Sequence, residues 1–118
     1  MEDTIFGKIT RGEIPADFLY EDDQCVVIKD IHPQAPTHIL IIPRKPIPKL
    51  VDASDEDQML LGHLMLVAGT MARKLGVEDG CRLVVNNGEG GGQTVFHLHL
   101  HLLAGREMDE SELAKALD

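Results

Sequence analysis

Three of the chain's six histidines stand at alternate positions near its end, in the run HLHLHLL at 97–103. Successive side chains of a β-strand point to opposite faces, so we expect His97, His99 and His101 to share one face. A row of imidazoles can carry protons, attack an electrophile or bind a metal ion. A merely polar sheet face would normally carry Thr, Lys or Glu. The row therefore indicates a reactive site.

Metal binding is one alternative for this row, because a His-x-His pair can hold a zinc ion with each nitrogen about 2.0–2.1 Å away. Neighbouring residues on one face of a strand are about 6.6–6.8 Å apart, which puts the outer two histidines about 13 Å apart, too far to share one ion comfortably. A further ligand would have to come from His32, His38 or an acidic residue. We expect no metal, with metal-dependent hydrolysis at His97 and His99 as the disfavoured alternative.

The loop before the histidines predicts a site for an oxyanion. Three consecutive glycines at 90–92 would expose backbone N–H groups and let a ligand approach closely. Gln93 and Thr94 add side-chain donors, and Asn86 can add an amide from the preceding strand. So many donors suit a phosphate better than a metal ion. Glycine-rich hairpins are also ordinary turns, so the loop indicates a binding site only together with the histidines beside it.

Composition bounds the class of protein. The 118 residues, with a formal net charge of −9, predict one domain over 1–118 and no broad cationic surface for nucleic acid or an anionic membrane. No apolar run reaches the roughly 18 residues that span a bilayer, and the N-terminus lacks a secretory pattern. Two distant cysteines fit neither a disulfide framework nor a Cys-ligated zinc site. We expect a cytoplasmic protein that binds a small ligand.

Hydrophobic periodicity predicts an α+β fold. Acidic residues in the first turn and apolar residues at steps of three and four predict one long helix from Ser54 to about Leu75. Shorter helices are expected from Thr4 to Arg11 and over 111–117. Because strands and helices do not alternate as βαβα, we expect a five-stranded antiparallel sheet crossed by the long helix. The expected strands are 18–20, 25–29, 38–42, 81–86 and 95–103.

The run at 97–103 resembles the signature of the histidine triad (HIT) family, His-φ-His-φ-His-φ-φ, in which φ is apolar. The segments DTIFGKITRGEI at 3–14, DIHPQAPTHILIIPR at 30–44 and the stretch 84–108 are similar to its Hint branch of nucleoside phosphoramidate hydrolases. The resemblance implies a HIT-like fold, a homodimer whose sheets join into one of ten strands, and no cofactor. It also implies hydrolysis of a purine nucleoside phosphoramidate, such as adenosine 5′-phosphoramidate, to a nucleoside 5′-monophosphate.

The same resemblance implies a role for each site residue. His99 would attack the α-phosphorus and form a covalent nucleotidyl-histidine, while the carbonyl of His97 would hold its other ring nitrogen. His101 would contact the transferred phosphate and the leaving group, and His38 would help to steer protons. The implied phosphate contacts are Asn86, Gly92, Gln93 and Thr94. The implied ribose and base contacts are Asp30, Ile31, Phe6 and Ile9.

Some positions depart from the family pattern. Pro46 stands where many Hint proteins have His, and Thr94 replaces the commoner Ser. The tail from about 109 to 118 lacks the Trp-Pro-Pro ending of that branch, which leaves the preferred leaving group open. His101, where the related nucleotidyl transferases have Gln, favours hydrolysis over transfer. Two alternatives stay open: a nucleotide-binding or scaffolding protein with incidental turnover, and a dinucleoside polyphosphate hydrolase.

Overall fold

The computed structural model describes residues 3–109, which contain one antiparallel sheet with strand order β1-β2-β3-β5-β4. The helices are α1 (Ile5–Thr10) and α2 (Gln58–Lys74), and the strands are β1 (Tyr20–Glu21), β2 (Cys25–Lys29), β3 (Thr37–Pro43), β4 (Cys81–Val84) and β5 (Leu100–Ala104). The predicted α+β fold is confirmed. The short helix expected at 111–117 lies outside the described residues. Over 3–109, no helix is long and apolar enough to cross a membrane.

Strand β3 lies at the centre of the sheet, paired with β2 on one side and β5 on the other. Its alternate residues Ile39 and Ile41 belong to the apolar cluster beneath α2. Leu40 and Ile42 point the other way and belong to a second cluster with Phe6 of α1. Because both faces are covered, the sequence of β3 is apolar almost throughout rather than alternating.

Helix α2 begins four residues later than expected, because the turn before it, Asp55–Asp57, is a 3-10 helix. The Asp57 carboxylate accepts the N–H of Ser54 and the ammonium of Lys45, which fixes this tighter first turn. The helix packs on the sheet through its buried residues Leu64, Val67, Ala68, Met71 and Ala72. Gly76, at φ +72°, ends the helix.

Strand β5 is shorter than the strand predicted at 95–103, because only 100–104 pair in the sheet. The N–H of Leu98 instead donates to the carbonyl of Ile47 at 2.7 Å, and the ring of His97 bonds to the carbonyl of Pro43. These bonds draw residues 97–98 towards the segment that follows β3. The alternation of a strand therefore applies to His101, whereas His97 and His99 precede the strand.

Replacing Ile41 tests the central position of β3. The side chain has no exposed surface, so Ile41→Ala should lower the free energy of unfolding by about 2–5 kcal/mol through lost apolar contacts and a cavity. The matched control is Ile31→Ala, since Ile31 is 84% exposed and its truncation should change stability by about 0.5 kcal/mol or less. Urea unfolding of both variants gives the comparison, and similar losses at the two positions would contradict this packing.

Candidate active site

Three histidine rings meet on the face of the sheet that is opposite α2. His101 of β5 pairs with Leu40 of β3, which places its ring on the same face as that of His38. The ring centroids of His38 and His101 are 5.2 Å apart, and those of His99 and His101 are 5.0 Å apart. All three residues are buried, at 4% exposure or less. The predicted grouping of His38, His99 and His101 is therefore present.

Hydrogen-bond direction fixes the tautomers of His38 and His101. The backbone N–H of Gln34 can only donate, so His38 Nδ1 accepts it at 3.0 Å and the proton of a neutral His38 ring lies on Nε2. That Nε2 lies 3.0 Å from His101 Nδ1 and donates to it. The proton of a neutral His101 ring then lies on its own Nε2. A backbone amide thus makes His101 Nε2 a donor.

In His99 the proton lies on the other ring nitrogen than in His101. Its Nδ1 lies 2.7 Å from the carbonyl of His97, which can only accept, so Nδ1 carries the proton and Nε2 keeps a lone pair. The predicted contact between the His97 carbonyl and the His99 ring is confirmed. The Phe6 and His99 rings pack nearly perpendicular to each other with centroids 4.8 Å apart, which restricts the rotation of the imidazole. His99 Nε2 is therefore the nucleophilic nitrogen of the ring.

His97 holds the segment that carries this carbonyl. Its Nε2 donates to the carbonyl of Pro43 at 2.6 Å, and its side chain is buried. Burial lowers the pKa of His97 and outweighs the opposite effect of the Pro43 carbonyl. The ring therefore stays neutral near pH 7, and it acts on His99 through the backbone rather than as a third reactive imidazole.

Asp30 lies against the histidine pair. The residue is buried, with one carboxylate oxygen, Oδ1, accepting the N–H of His32 at 2.8 Å. The other oxygen, Oδ2, lies 3.4 Å from His38 Nε2 and 4.0 Å from His101 Nδ1. The residue expected to contact a ribose therefore also belongs to the histidine cluster, which sequence spacing did not indicate.

The glycine loop differs from its prediction. The N–H groups of Gly91 and Gln93 donate to the carbonyl of Gly88, and that of Gly92 donates to the carbonyl of Glu89. The amides of Gly91 and Gly92 close a 3-10 turn, and that of Gln93 closes a wider turn onto the same carbonyl as Gly91. The expectation that the glycine N–H groups are open to a ligand is therefore wrong for Gly91 and Gly92. Gly92 has φ +97°, a conformation that glycine adopts without strain.

Gln93 also differs from its expected role as a side-chain donor. It is 1% exposed; its Oε1 accepts the N–H of Gly88, and its Nε2 donates to the carbonyls of Pro48 and Val95. Both donor hydrogens are committed within the protein. The side chain therefore supports the loop from below and is not free to bind a phosphate in this conformation.

The remaining expected contacts surround the histidines less closely. Thr94 is exposed and borders a cavity of about 350 Å³ that is also lined by Ile5 and Phe96, while Asn86 is half-buried. Phe6 and Ile9 lie in the apolar cluster on this face of the sheet, and the Phe6 ring contacts that of His99. Ile31 is 84% exposed. A base pocket built from these apolar residues stays a prediction.

The sequence does not indicate two groups of the site, the N–H of Gln34 and the carbonyl of Pro43, because both are backbone atoms. Every residue has such groups, so no residue type marks them. Arg106 reinforces the first of them by donating to the carbonyl of Gln34 at 3.1 Å. This bond restrains the same residue whose N–H donates to His38.

The same hydrogen bonds bear on the metal alternative. Possible ligand atoms of Asp30, His38 and His101 lie within 4.8 Å of one another, a spacing that one ion can bridge. A histidine that ligates a metal usually donates its other ring N–H to an acceptor. His38 Nδ1 instead receives a proton donor, so His38 Nε2 retains a proton and does not offer a lone pair. This polarity favours proton transfer over metal binding.

Comparison with known proteins agrees with this site. Residues 11–108 match the HIT domain. The chain belongs to the HIT family. It is 61% identical over 105 residues to an uncharacterised HIT-like protein of Synechocystis, covering 89% of this chain and 92% of that protein. It is 51% identical over 108 residues to the purine nucleoside phosphoramidase of Escherichia coli K12, covering 91% of each chain.

A solved structure shares the whole HIT architecture. The crystal structure of a HIT family hydrolase from Legionella pneumophila superposes with a TM-score of 0.90 at 46% identity, covering 92% of this chain and 98% of that one. The predicted family and fold are confirmed. The coarse functional prediction, a hydrolase of the HIT family, is confirmed as well.

The inward position of Gln93 can be tested by truncation. Gln93→Ala leaves the N–H of Gly88 and the carbonyls of Pro48 and Val95 without their side-chain partner, which should cost about 2–4 kcal/mol of unfolding free energy. Asn87→Ala is the control, because Asn87 makes one exposed bond to the N–H of Val51 and its loss should cost about 1 kcal/mol or less. Thermal unfolding distinguishes them. Equal, small losses would mean that the Gln93 side chain faces the ligand instead.

Proposed function

We propose that this HIT protein hydrolyses purine nucleoside phosphoramidates to a nucleoside 5′-monophosphate and an amine, through a covalent nucleotidyl-histidine on His99. The observation that carries the proposal is the opposed polarity of two adjacent imidazoles. His99 has its lone pair on Nε2, and His101 has its proton on Nε2, with the rings 5.0 Å apart. The name of the Escherichia coli relative, purine nucleoside phosphoramidase, supports the choice of the P–N bond.

In the first step, His99 Nε2 attacks the α-phosphorus and the bond from phosphorus to the amine nitrogen breaks. The leaving nitrogen takes a proton from His101 Nε2. The bond between the His97 carbonyl and His99 Nδ1–H stabilises the positive charge that develops on the His99 ring. A buried site strengthens these interactions, since little water screens them.

In the second step, water attacks the phosphorus and the bond from phosphorus to His99 Nε2 breaks. His101 Nε2, which gave up its proton in the first step, accepts one from the water. The products are the nucleoside monophosphate and a free His99. Dividing one displacement into two lets the same two rings serve both halves of the reaction.

The other expected contacts would hold the nucleotide around this pair. Asp30 would accept the ribose hydroxyls, and Ile31, Phe6 and Ile9 would line the base pocket. The proposed phosphate contacts are Asn86 and Thr94, while Gly92 and Gln93, whose polar groups bond within the loop, hold that loop in place. The proposal requires no metal or other cofactor. The proposal also includes a single domain over 1–118 and a cytoplasmic location. It includes no nucleic acid or membrane partner.

We further propose that the chain forms a homodimer. Within residues 3–109, strand β4 is an edge of the sheet that pairs only with β5, so we propose that a second strand pairs along its other side. Helix α2 beside it presents large apolar side chains to solvent: Met59 at 85%, Met65 at 58% and Leu66 at 73% exposure. A two-fold pairing of β4 with its copy would cover this surface and give a ten-stranded sheet.

Catalysis is tested with adenosine 5′-phosphoramidate. The purified protein should release AMP, and His99→Ala should lower the rate by about 10³-fold or more because the nucleophile is absent. Acid quenching during turnover, followed by mass spectrometry, should find AMP attached to His99 in the wild type. The control His63→Ala replaces a histidine on α2, outside the site, and should retain most of the activity.

Other results would select the alternatives. Equal rates for the wild type and His99→Ala, with AMP bound by both, would leave a nucleotide-binding or scaffolding protein. Faster cleavage of a dinucleoside polyphosphate than of the phosphoramidate would favour the polyphosphate hydrolase. Activity lost after exhaustive chelation and regained with zinc would favour the metal-dependent alternative.

The oligomeric state is tested by size-exclusion chromatography with light scattering. The wild type should give about twice the chain mass of 13.0 kDa. Leu66→Glu places a charge in the proposed interface and should give the mass of a single chain. Ile5→Glu is the control, because α1 covers the opposite face of the sheet and the dimer should persist. A wild type with the mass of one chain would contradict the proposal.

A further inference from the structure

The Asp30 carboxylate lies where it can act on the reaction as well as on a ribose. Its Oδ1 is occupied by the N–H of His32, whereas its Oδ2 lies beside the hydrogen bond that joins His38 to His101. The exposed fraction of the Asp30 side chain is 5%, and those of the two histidine side chains are 1% or less. A carboxylate this close to two buried rings favours any state in which they carry positive charge.

The hydrogen-bond chain from Gln34 shows why such a state is needed. In the neutral pair, His38 has its proton on Nε2 and His101 has its proton on Nε2. If His101 gave that proton to a leaving amine, its ring would become an anion unless Nδ1 gained a proton. The proton of His38 cannot replace it, because His38 Nδ1 faces the N–H of Gln34 and cannot be protonated in turn. The pair must therefore hold a second proton before the P–N bond breaks.

We propose that Asp30 is a positioning residue for this acid step, through the His38–His101 pair, in addition to any ribose contact. With the carboxylate beside it, the pair takes a second proton on His101 Nδ1. The N–H groups of His38 Nε2 and His101 Nδ1 then both donate and no longer bond to each other. Asp30 Oδ2, 3.4 Å from the first nitrogen and 4.0 Å from the second, is the acceptor towards which both turn. A buried cation without such a partner would be unfavourable. The inference rests on the proposed function, since it concerns how that reaction obtains its proton.

The proton count closes over the two steps. His99 Nε2 bonds to phosphorus, the P–N bond breaks, and the amine leaves with the proton from His101 Nε2, which returns the pair to neutrality. His101 now has its proton on Nδ1, held towards Asp30, and a lone pair on Nε2. Water then gives a proton to that Nε2 as its oxygen bonds to phosphorus and the bond to His99 breaks. The second proton is thereby restored.

The test compares two leaving groups. An amine needs a proton to leave, whereas p-nitrophenolate does not, so Asp30→Asn should slow the two reactions unequally. We expect the first-turnover rate with adenosine 5′-phosphoramidate to fall by about 10²-fold, and that with the p-nitrophenyl ester of AMP to fall by less than about threefold. Cleavage of the ester also shows that the variant is folded. Asp30→Glu, which keeps the carboxylate, should recover much of the loss.

Two controls separate this role from ribose binding. Asp79→Asn makes the same charge change in the exposed turn before β4 and should leave both rates unchanged. With the 2′,3′-dideoxy phosphoramidate, Asp30→Asn should still lower the first-turnover rate, because the lost contact is with the histidines. If Asp30 serves ribose alone, the variant will raise KM for both leaving groups equally and have no effect on the dideoxy substrate, which would overturn the inference.

The outcomes also distinguish this inference from the function beneath it. If the wild type cleaves neither compound, the proposed function itself is contradicted. If the wild type cleaves both compounds through His99 and Asp30→Asn slows the two reactions equally, only the role of Asp30 is contradicted.

Discussion

The direction of two hydrogen bonds between backbone and imidazole governs this site. The N–H of Gln34 donates to His38 Nδ1, and the carbonyl of His97 accepts from His99 Nδ1. A peptide group cannot reverse its polarity, whereas a neutral imidazole can carry its proton on either nitrogen. The backbone therefore decides that His99 offers a lone pair on Nε2 and that His101 offers a proton. Two identical side chains acquire different chemistry in this way.

The sheet gives these bonds their geometry. Strand β3 carries His38 and pairs with β5, which carries His101, so their rings lie on one face although 63 residues separate them in sequence. Helix α2 covers the other face, and the apolar contacts there hold the strands in register. A shift of one residue in the pairing of β5 would turn His101 into the apolar cluster beneath α2. The hydrophobic core and the reactive face are thus specified by the same alternation.

The loops around the sheet hold the backbone groups that the rings require. Gln93, buried beneath the glycine turn, bonds to Gly88, Pro48 and Val95 and so joins that turn to the segment after β3 and to the residues just before the histidines. The ring of His97 similarly joins its own segment to Pro43 at the end of β3. Polar side chains that resemble ligand contacts in the sequence therefore act here as internal supports, because each finds its hydrogen-bond partners within the chain.

The sequence by itself determined the family and those elements that depend on the spacing of apolar residues along the chain. The apolar spacing of α2 and the histidine-leucine pattern that indicates the family are properties of neighbouring residues, so they could be read without coordinates. The short β5, the inward amides of the glycine loop and the contact between Asp30 and the histidine pair could not. These depend on backbone atoms, which every residue shares, and on contacts between distant segments, which only the tertiary structure decides.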